Sequence, residues 1–150
     1  MVNPSIRVRA CLERKGPRLI ISSPDDTVET AIRKMVDNKI GAMPVCDDQG
    51  NLIGIVSERD LLKECSQRAK QINKTRVKDV MTKDVVIALP DDDVDYVMDI
   101  MTQKGIRHLP IMDGPKLEGM LSIRDVVDIQ LEKSKAEARF LNVYISGGYH

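Results

Sequence analysis

Gly54-Ile55-Val56-Ser57-Glu58-Arg59-Asp60 recurs further along the chain as Gly119-Met120-Leu121-Ser122-Ile123-Arg124-Asp125. Each copy is an apolar run closed by Ser, with Asp three positions on. That spacing predicts an extended segment passing into a helix whose start is held by a capping box. Outward from this pair the match continues. Ile40-Gly41-Ala42-Met43-Pro44-Val45 corresponds to Ile106-Arg107-His108-Leu109-Pro110-Ile111, Val28 through Met35 to Val94 through Met101, and Pro24-Asp25-Asp26 to Pro90-Asp91-Asp92. The register holds over about forty residues with a single one-residue gap near a turn, so the chain is an internal duplication.

Each copy predicts the same layout. A short strand, Leu19-Ile20-Ile21 or Val85-Val86-Ile87, leads into the Pro-Asp-Asp turn. The acidic residues then stand at a helix start, opposing the orphan amides and the dipole, and Asp26 and Glu29 have capping-box spacing. Val28, Ala31, Ile32, Met35 and Val36 make an apolar helical stripe that Val94, Val97, Met98 and Met101 repeat. The methionines read as core packing. Two strands follow, Ala42 to Cys46 and Leu52 to Val56, or His108 to Met112 and Leu117 to Leu121, joined by turn-forming residues. A helix begins near Arg59 or Arg124.

A unit of ~50 residues is marginal alone. The expected fold is therefore α/β: two strand–helix–strand–strand–helix repeats related by pseudo-twofold symmetry, packed by their sheet faces around one shared core. Repeat 1 spans approximately 5–66, a polar basic linker 66–76, repeat 2 77–130, and a C-terminal helix and tail 131–150, all in one module. The linker reads as a solvated connector. The tail carries two of the three tyrosines.

The 150 residues are 42% apolar and 31% charged, a globular composition. Lys plus Arg equal Asp plus Glu at 23 each, which argues against a nucleic-acid binder. Cys11, Cys46 and Cys65 are odd in number and lack C-x-x-C spacing. Neither a disulfide framework nor a zinc site is expected, and reduced thiols fit the cytoplasm. No signal-like run and no stretch of ~20 apolar residues suggests a membrane segment.

Enzyme signatures are missing: there is no G-x-S-x-G, Walker A or G-x-G-x-x-G motif. The only histidines are His108 and His150; a zinc site built from them lacks ligands, and no Cys–His pair stands out as a nucleophile constellation. The duplicated Ser-x-Arg-Asp has two readings. It caps a helix, or it holds a ribose phosphate: helix amides and the Ser hydroxyl on phosphate, the carboxylate on the vicinal hydroxyls. Arg107-His108 adds a cation suited to phosphate in the second copy, where the first has Gly41-Ala42.

The repeated pattern resembles a pair of CBS (cystathionine-β-synthase) domains, a Bateman module. Pro24 through Val28, Ile40 through Val45, Gly54 through Asp60 and their counterparts carry the resemblance, and Val80-Met81-Thr82 is similar to the segment that opens a second domain. The resemblance implies a non-catalytic regulatory module that binds an adenosyl effector (AMP, ATP, NAD or S-adenosylmethionine) between the repeats, pairs into a homodimer, and signals to a separate partner protein. Carried over by position, the preferred second cleft comprises Lys15, Gly16, Arg18, Gly41, Arg107, His108, Pro110, Ser122, Arg124 and Asp125. The weaker first cleft comprises Ala42, Pro44, Ser57, Arg59, Asp60, Met81 and Thr82. The alternative is a structural dimerisation module whose clefts are vestigial.

Overall fold

The computed structural model describes residues 6–145, with side chains to 141. Its elements are α1 (Val8–Lys15), α2 (Val28–Asn38), β1 (Ala42–Cys46), β2 (Leu52–Ser57), α3 (Glu58–Arg68), a 3-10 turn (Ala69–Gln71), α4 (Val77–Val80), α5 (Val94–Lys104), β3 (His108–Asp113), β4 (Lys116–Ser122) and α6 (Ile123–Ile145). The C-terminal helix expected after residue 130 is the continuation of α6, and residues 146–150, His150 among them, lie outside the described range.

Two antiparallel hairpins, β1–β2 and β3–β4, form the strands, and both slip register at the same place, between Val45 and Cys46 and between Ile111 and Met112. The repeat's one-residue gap falls in the turns beyond. The Asp47 carboxylate gathers the amides of Gln49 (3.0 Å) and Asn51 (2.8 Å). The second hairpin turns more tightly, with Gly114 at φ 59° between the paired Asp113 and Lys116. A two-residue hairpin turn demands positive φ, which glycine supplies.

The first strand expected in each copy shrinks to a single rung, one residue past the predicted run. Ser22 donates its N–H to the Pro44 carbonyl (2.9 Å) and accepts from Cys46 (3.0 Å); Ala88 does the same with Pro110 (3.0 Å) and Met112 (2.9 Å). The next rung back would need an amide on Pro44 or Pro110, and the next forward one on Pro24 or Pro90. Proline has none, so the ladder is clipped at both ends.

Helix starts also differ from expectation. Thr27 caps α2 by accepting from the Thr30 amide, and Asp93 caps α5. Asp26 and Asp92 instead turn back to accept from the amides of Ser23 (3.0 Å) and Leu89 (2.8 Å), closing the Pro-Asp-Asp turn. The Asp26 carboxylate is further held by Lys34 at 2.8 Å. α3 and α6 begin at Glu58 and Ile123, one residue earlier than predicted.

The interior is two cores, not one. Val28, Ala31, Met35, Met43, Val45, Val56 and Leu61 form the first, with Val77 among them. Val94, Val97, Met101, Leu109, Ile111, Leu121 and Val126 form the second, with Val8 and Cys11 among them. Strand alternation explains the split. Met43 and Val45, or Leu109 and Ile111, face their own helices, while Ala42, Cys46, Met112 and Met120 are buried outside both clusters. Val36, placed in the core stripe by its spacing, is 69% exposed.

The opening segments are exchanged. Val8 and Arg9 donate to the carbonyls of Asp92 (2.9 Å) and Pro90 (2.8 Å), and the Ile6 carbonyl accepts from Val94 (2.8 Å). Val77 and Lys78 donate to Asp26 (2.8 Å) and Pro24 (3.0 Å), and the Thr75 carbonyl accepts from Val28 (2.9 Å). The segment counted with repeat 1 is thus built into repeat 2, and the reverse. The linker is more than a solvated connector, since its Ile72 and Thr75 carbonyls satisfy the orphan amides of Glu29 and Val28.

A Cβ on Gly54 would lie 2.5 Å from Met81 Sδ and 3.0 Å from the Thr82 backbone oxygen. On Gly119 it would meet only the end of Leu12, at 2.8 Å. Gly54→Ala is expected to lower stability in urea unfolding by about 1–3 kcal/mol, because backbone must shift, and Gly119→Ala by clearly less, because a leucine rotamer can yield.

Candidate functional site

Both Ser-x-Arg-Asp segments form reciprocal capping boxes. Asp60 Oδ2 accepts from the Ser57 amide at 2.9 Å, and Ser57 Oγ accepts from the Asp60 amide at 3.3 Å. Asp125 and Ser122 repeat this at 2.8 and 3.2 Å. The strand delivers the serine in extended backbone and the helix returns the carboxylate three residues on, so the sequence spacing alone fixes the geometry.

The surroundings of the two boxes differ. Beside the first, the chain leaves α4 after Val80, and Thr82 pairs with Ile55 through N–H···O bonds of 2.9 and 3.0 Å, closing the edge of β2 with backbone. The corresponding helix α1 winds on to Lys15. Met120, the counterpart of Ile55, gives its carbonyl to Lys15 Nζ instead (2.6 Å), and the same ammonium reaches Asp125 Oδ2 at 2.9 Å. A groove of about 560 Å³ opens beside this contact, with Lys15, Gly16 and Arg18 on one wall and Gly119 and Met120 on the other.

Burial alone would raise the Asp125 pKa, but the Ser122 amide and the Lys15 ammonium outweigh it and hold the carboxyl below its ordinary 3.8. His108, first residue of β3, is pushed below its ordinary 6.5 by burial and then by Lys15, against the pull of Glu58 and Asp125. It faces the other repeat: a Cβ on Gly41 would lie 3.3 Å from the His108 ring and 3.5 Å from the Glu58 carboxyl carbon.

The structure therefore gathers Lys15, Gly41, His108, Ser122 and Asp125 between the repeats. Arg107 stands next to them, exposed, its carbonyl accepting from the Ile123 amide at 2.7 Å. Three residues assigned to this cleft sit otherwise. Arg18 lines the groove but gives its guanidinium to the carbonyl (2.7 Å) and side chain (2.9 Å) of Asn38. Pro110 is buried in β3, where it ends the ladder. Arg124 is exposed, with no ion pair among the described residues.

Of the first-cleft set, Ala42 and Pro44 are buried in β1, Met81 packs on Gly54, Thr82 is in the rung, and Arg59 is exposed. Glu58 was not singled out as a site residue. The available signal was the mismatch with Ile123 at the same position of the second copy.

The fold and paired capping boxes define a tandem-repeat α/β module, and the comparisons name its class. The CBS domain profile matches residues 17–67 and again 77–132. The chain belongs to the CBS domain family. It is 36% identical over 129 residues to the mitochondrial CBS domain-containing protein CBSX3 of Arabidopsis thaliana, covering 83% of this chain and 63% of that protein. The chain thus spans less than two thirds of that relative's length. A CBS-domain containing protein of Agrobacterium tumefaciens, solved by crystallography, aligns at TM-score 0.79 and 35% identity over 83% of this chain and 92% of its own. A CBS domain pair crystallised with 5′-methylthioadenosine and S-adenosyl-L-methionine aligns at TM-score 0.77 and 24% identity, over 87% of this chain and 99% of its own. No helix among the described residues is long and apolar enough to cross a membrane.

The cluster predicts its own titration. His108 is expected to titrate below 6.5 by NMR. Lys15→Met removes a cation and should raise its pKa; Glu58→Gln removes an anion and should lower it further. A His108 that ignores both substitutions would contradict the arrangement.

Proposed function

We propose that the chain is a non-catalytic regulatory module that binds an adenosine derivative (AMP, ATP, NAD or S-adenosylmethionine) in the second cleft and signals occupancy to a partner protein. The observation that carries this is the open edge of β4. Where Thr82 pairs with the first repeat through backbone, the second keeps a groove of about 560 Å³ lined by Lys15, whose ammonium in turn reaches Asp125. The groove suits an adenine, the Asp125 carboxylate suits ribose hydroxyls, and the start of α6 with Ser122 suits the 5′ substituent. A ligand reaching from that groove past Asp125 to His108 and Gly41 touches both repeats, and its differential affinity can select one arrangement of them. The ligands crystallised with the related CBS domain pair support this reading. The free thiols Cys11, Cys46 and Cys65 suit a reducing cytoplasmic setting.

In isothermal titration the wild-type chain is expected to bind at least one of these compounds below millimolar. Asp125→Ala should abolish binding and Asp60→Ala should leave it largely intact. Equal loss from both variants would contradict the preference for the second cleft.

One observation favours the vestigial-cleft alternative: in both capping boxes the serine and aspartate already bond each other. That reading predicts no titration heat and no rise in melting temperature with any of the four compounds.

Homodimerisation is proposed through the outer face of α2 and α3. Ile32, Val36, Leu61, Leu62 and Cys65, with Lys39 and Glu58, line a mainly apolar groove of about 580 Å³ there, and Val36 and Leu62 are each 69% exposed. Sedimentation should show a dimer that Leu62→Glu converts to a folded monomer. A wild-type monomer at micromolar concentration would remove this part.

A further inference from the structure

Glu58 has no task in the recognition of ribose or phosphate, yet it stands in the same cluster. Its carboxyl carbon and the His108 ring flank one backbone position, Gly41, at 3.5 and 3.3 Å from where a Cβ would sit. His108 feels the charges of both Glu58 and Asp125. A ligand with its ribose on Asp125 and its 5′ arm over His108 therefore comes within range of the Glu58 charge.

The charge inventory around that path is uneven. Lys15 is already neutralised by Asp125 at 2.9 Å. Neither Glu58 nor Arg107 has an ion pair among the described residues. One unpaired anion and one unpaired cation thus border the imidazole. Both are positions where the copies diverge: Glu58 answers to Ile123, and Arg107 to Gly41. Two independent departures from the repeat converge on His108.

A phosphate ester is a dianion near neutral pH, and Glu58 repels it. An arm with an ammonium or sulfonium centre pairs with Glu58, and a carboxylate on the same arm finds Arg107. Resting on the reading of the second cleft as an adenosine site, we propose that Glu58 is a specificity-determining residue that admits adenosine derivatives with a cationic 5′ arm and disfavours 5′ phosphates.

The test is isothermal titration of the full chain and of Glu58→Gln and Glu58→Lys with three probes: S-adenosylmethionine (cationic arm), 5′-methylthioadenosine (uncharged) and AMP (phosphate). Wild type is expected to bind S-adenosylmethionine more tightly than AMP. Glu58→Gln should weaken S-adenosylmethionine about tenfold and strengthen AMP about tenfold, the scale of one partly screened charge. 5′-Methylthioadenosine should stay within about twofold, which also verifies that the variant is folded, and Glu58→Lys should widen the inversion.

The proposal is overturned if wild type prefers AMP, or if Glu58→Gln moves all three probes alike. Binding of all three with no charge dependence defeats Glu58 alone. Binding of none, by any variant, defeats the adenosine cleft and this proposal with it.

Discussion

The structure depends on an exchange of hydrogen bonds between its halves. The amides of Val28 and Val94, each at the first turn of a repeat's main helix, find their acceptors on Thr75 and Ile6, segments that precede the opposite repeat in sequence. A helix start leaves its first amides without intrahelical partners. Here those partners are supplied crosswise, and Val8 and Val77 follow their carbonyls into the cores. Neither half completes its own interior, so the space between them is a built part of the molecule. Gly41, Glu58 and His108 meet in that space.

The duplication is symmetric in its frame and asymmetric in its openings. Hairpins, register slips, proline-clipped rungs and capping boxes correspond one to one. The difference comes from where a helix stops. α4 ends at Val80 and lets Thr82 lie along β2, whereas α1 persists to Lys15, whose side chain must then do for Met120 what backbone does for Ile55. A lysine contact leaves a groove beside β4, whereas a backbone rung covers the corresponding place on β2. Unequal helix length thus makes two equivalent places unlike, one bordered by backbone and one by a lysine side chain.

Much of this was legible in the residues. Two copies of every signal made the elements readable, and the hairpins and α2 and α5 fall where alternation and helical spacing put them. The missing parts share one cause: they depend on partners distant in sequence. Leu19 to Ile21 carry every local mark of a strand, and what denies them one is the absent amide of Pro44 on the neighbouring strand. Asp26 has capping spacing, but Lys34 and Ser23 claim its carboxylate first. The exchange of opening segments has no local signature, since proximity along the chain favours the wrong assignment. In the cleft, Ser122, Asp125 and His108 could be read from the motif, while Glu58 was hidden inside it, taken as one variable position of a capping box.

The prolines that clip each ladder also govern how the molecule meets others of its kind. A sheet border with a row of free amides is a template for another chain's strand, and from there for fibrils. Around each hairpin here, one border takes a single rung at Ser22 or Ala88 between prolines, and the other is met by Thr82 or by the Lys15 ammonium. The rungs shorten the runs of unpaired backbone at three of these borders, and β4, met at Met120, keeps the most open one. Association is thereby steered to side-chain surfaces, where shape and charge discriminate, and away from main-chain pairing, which accepts almost any sequence.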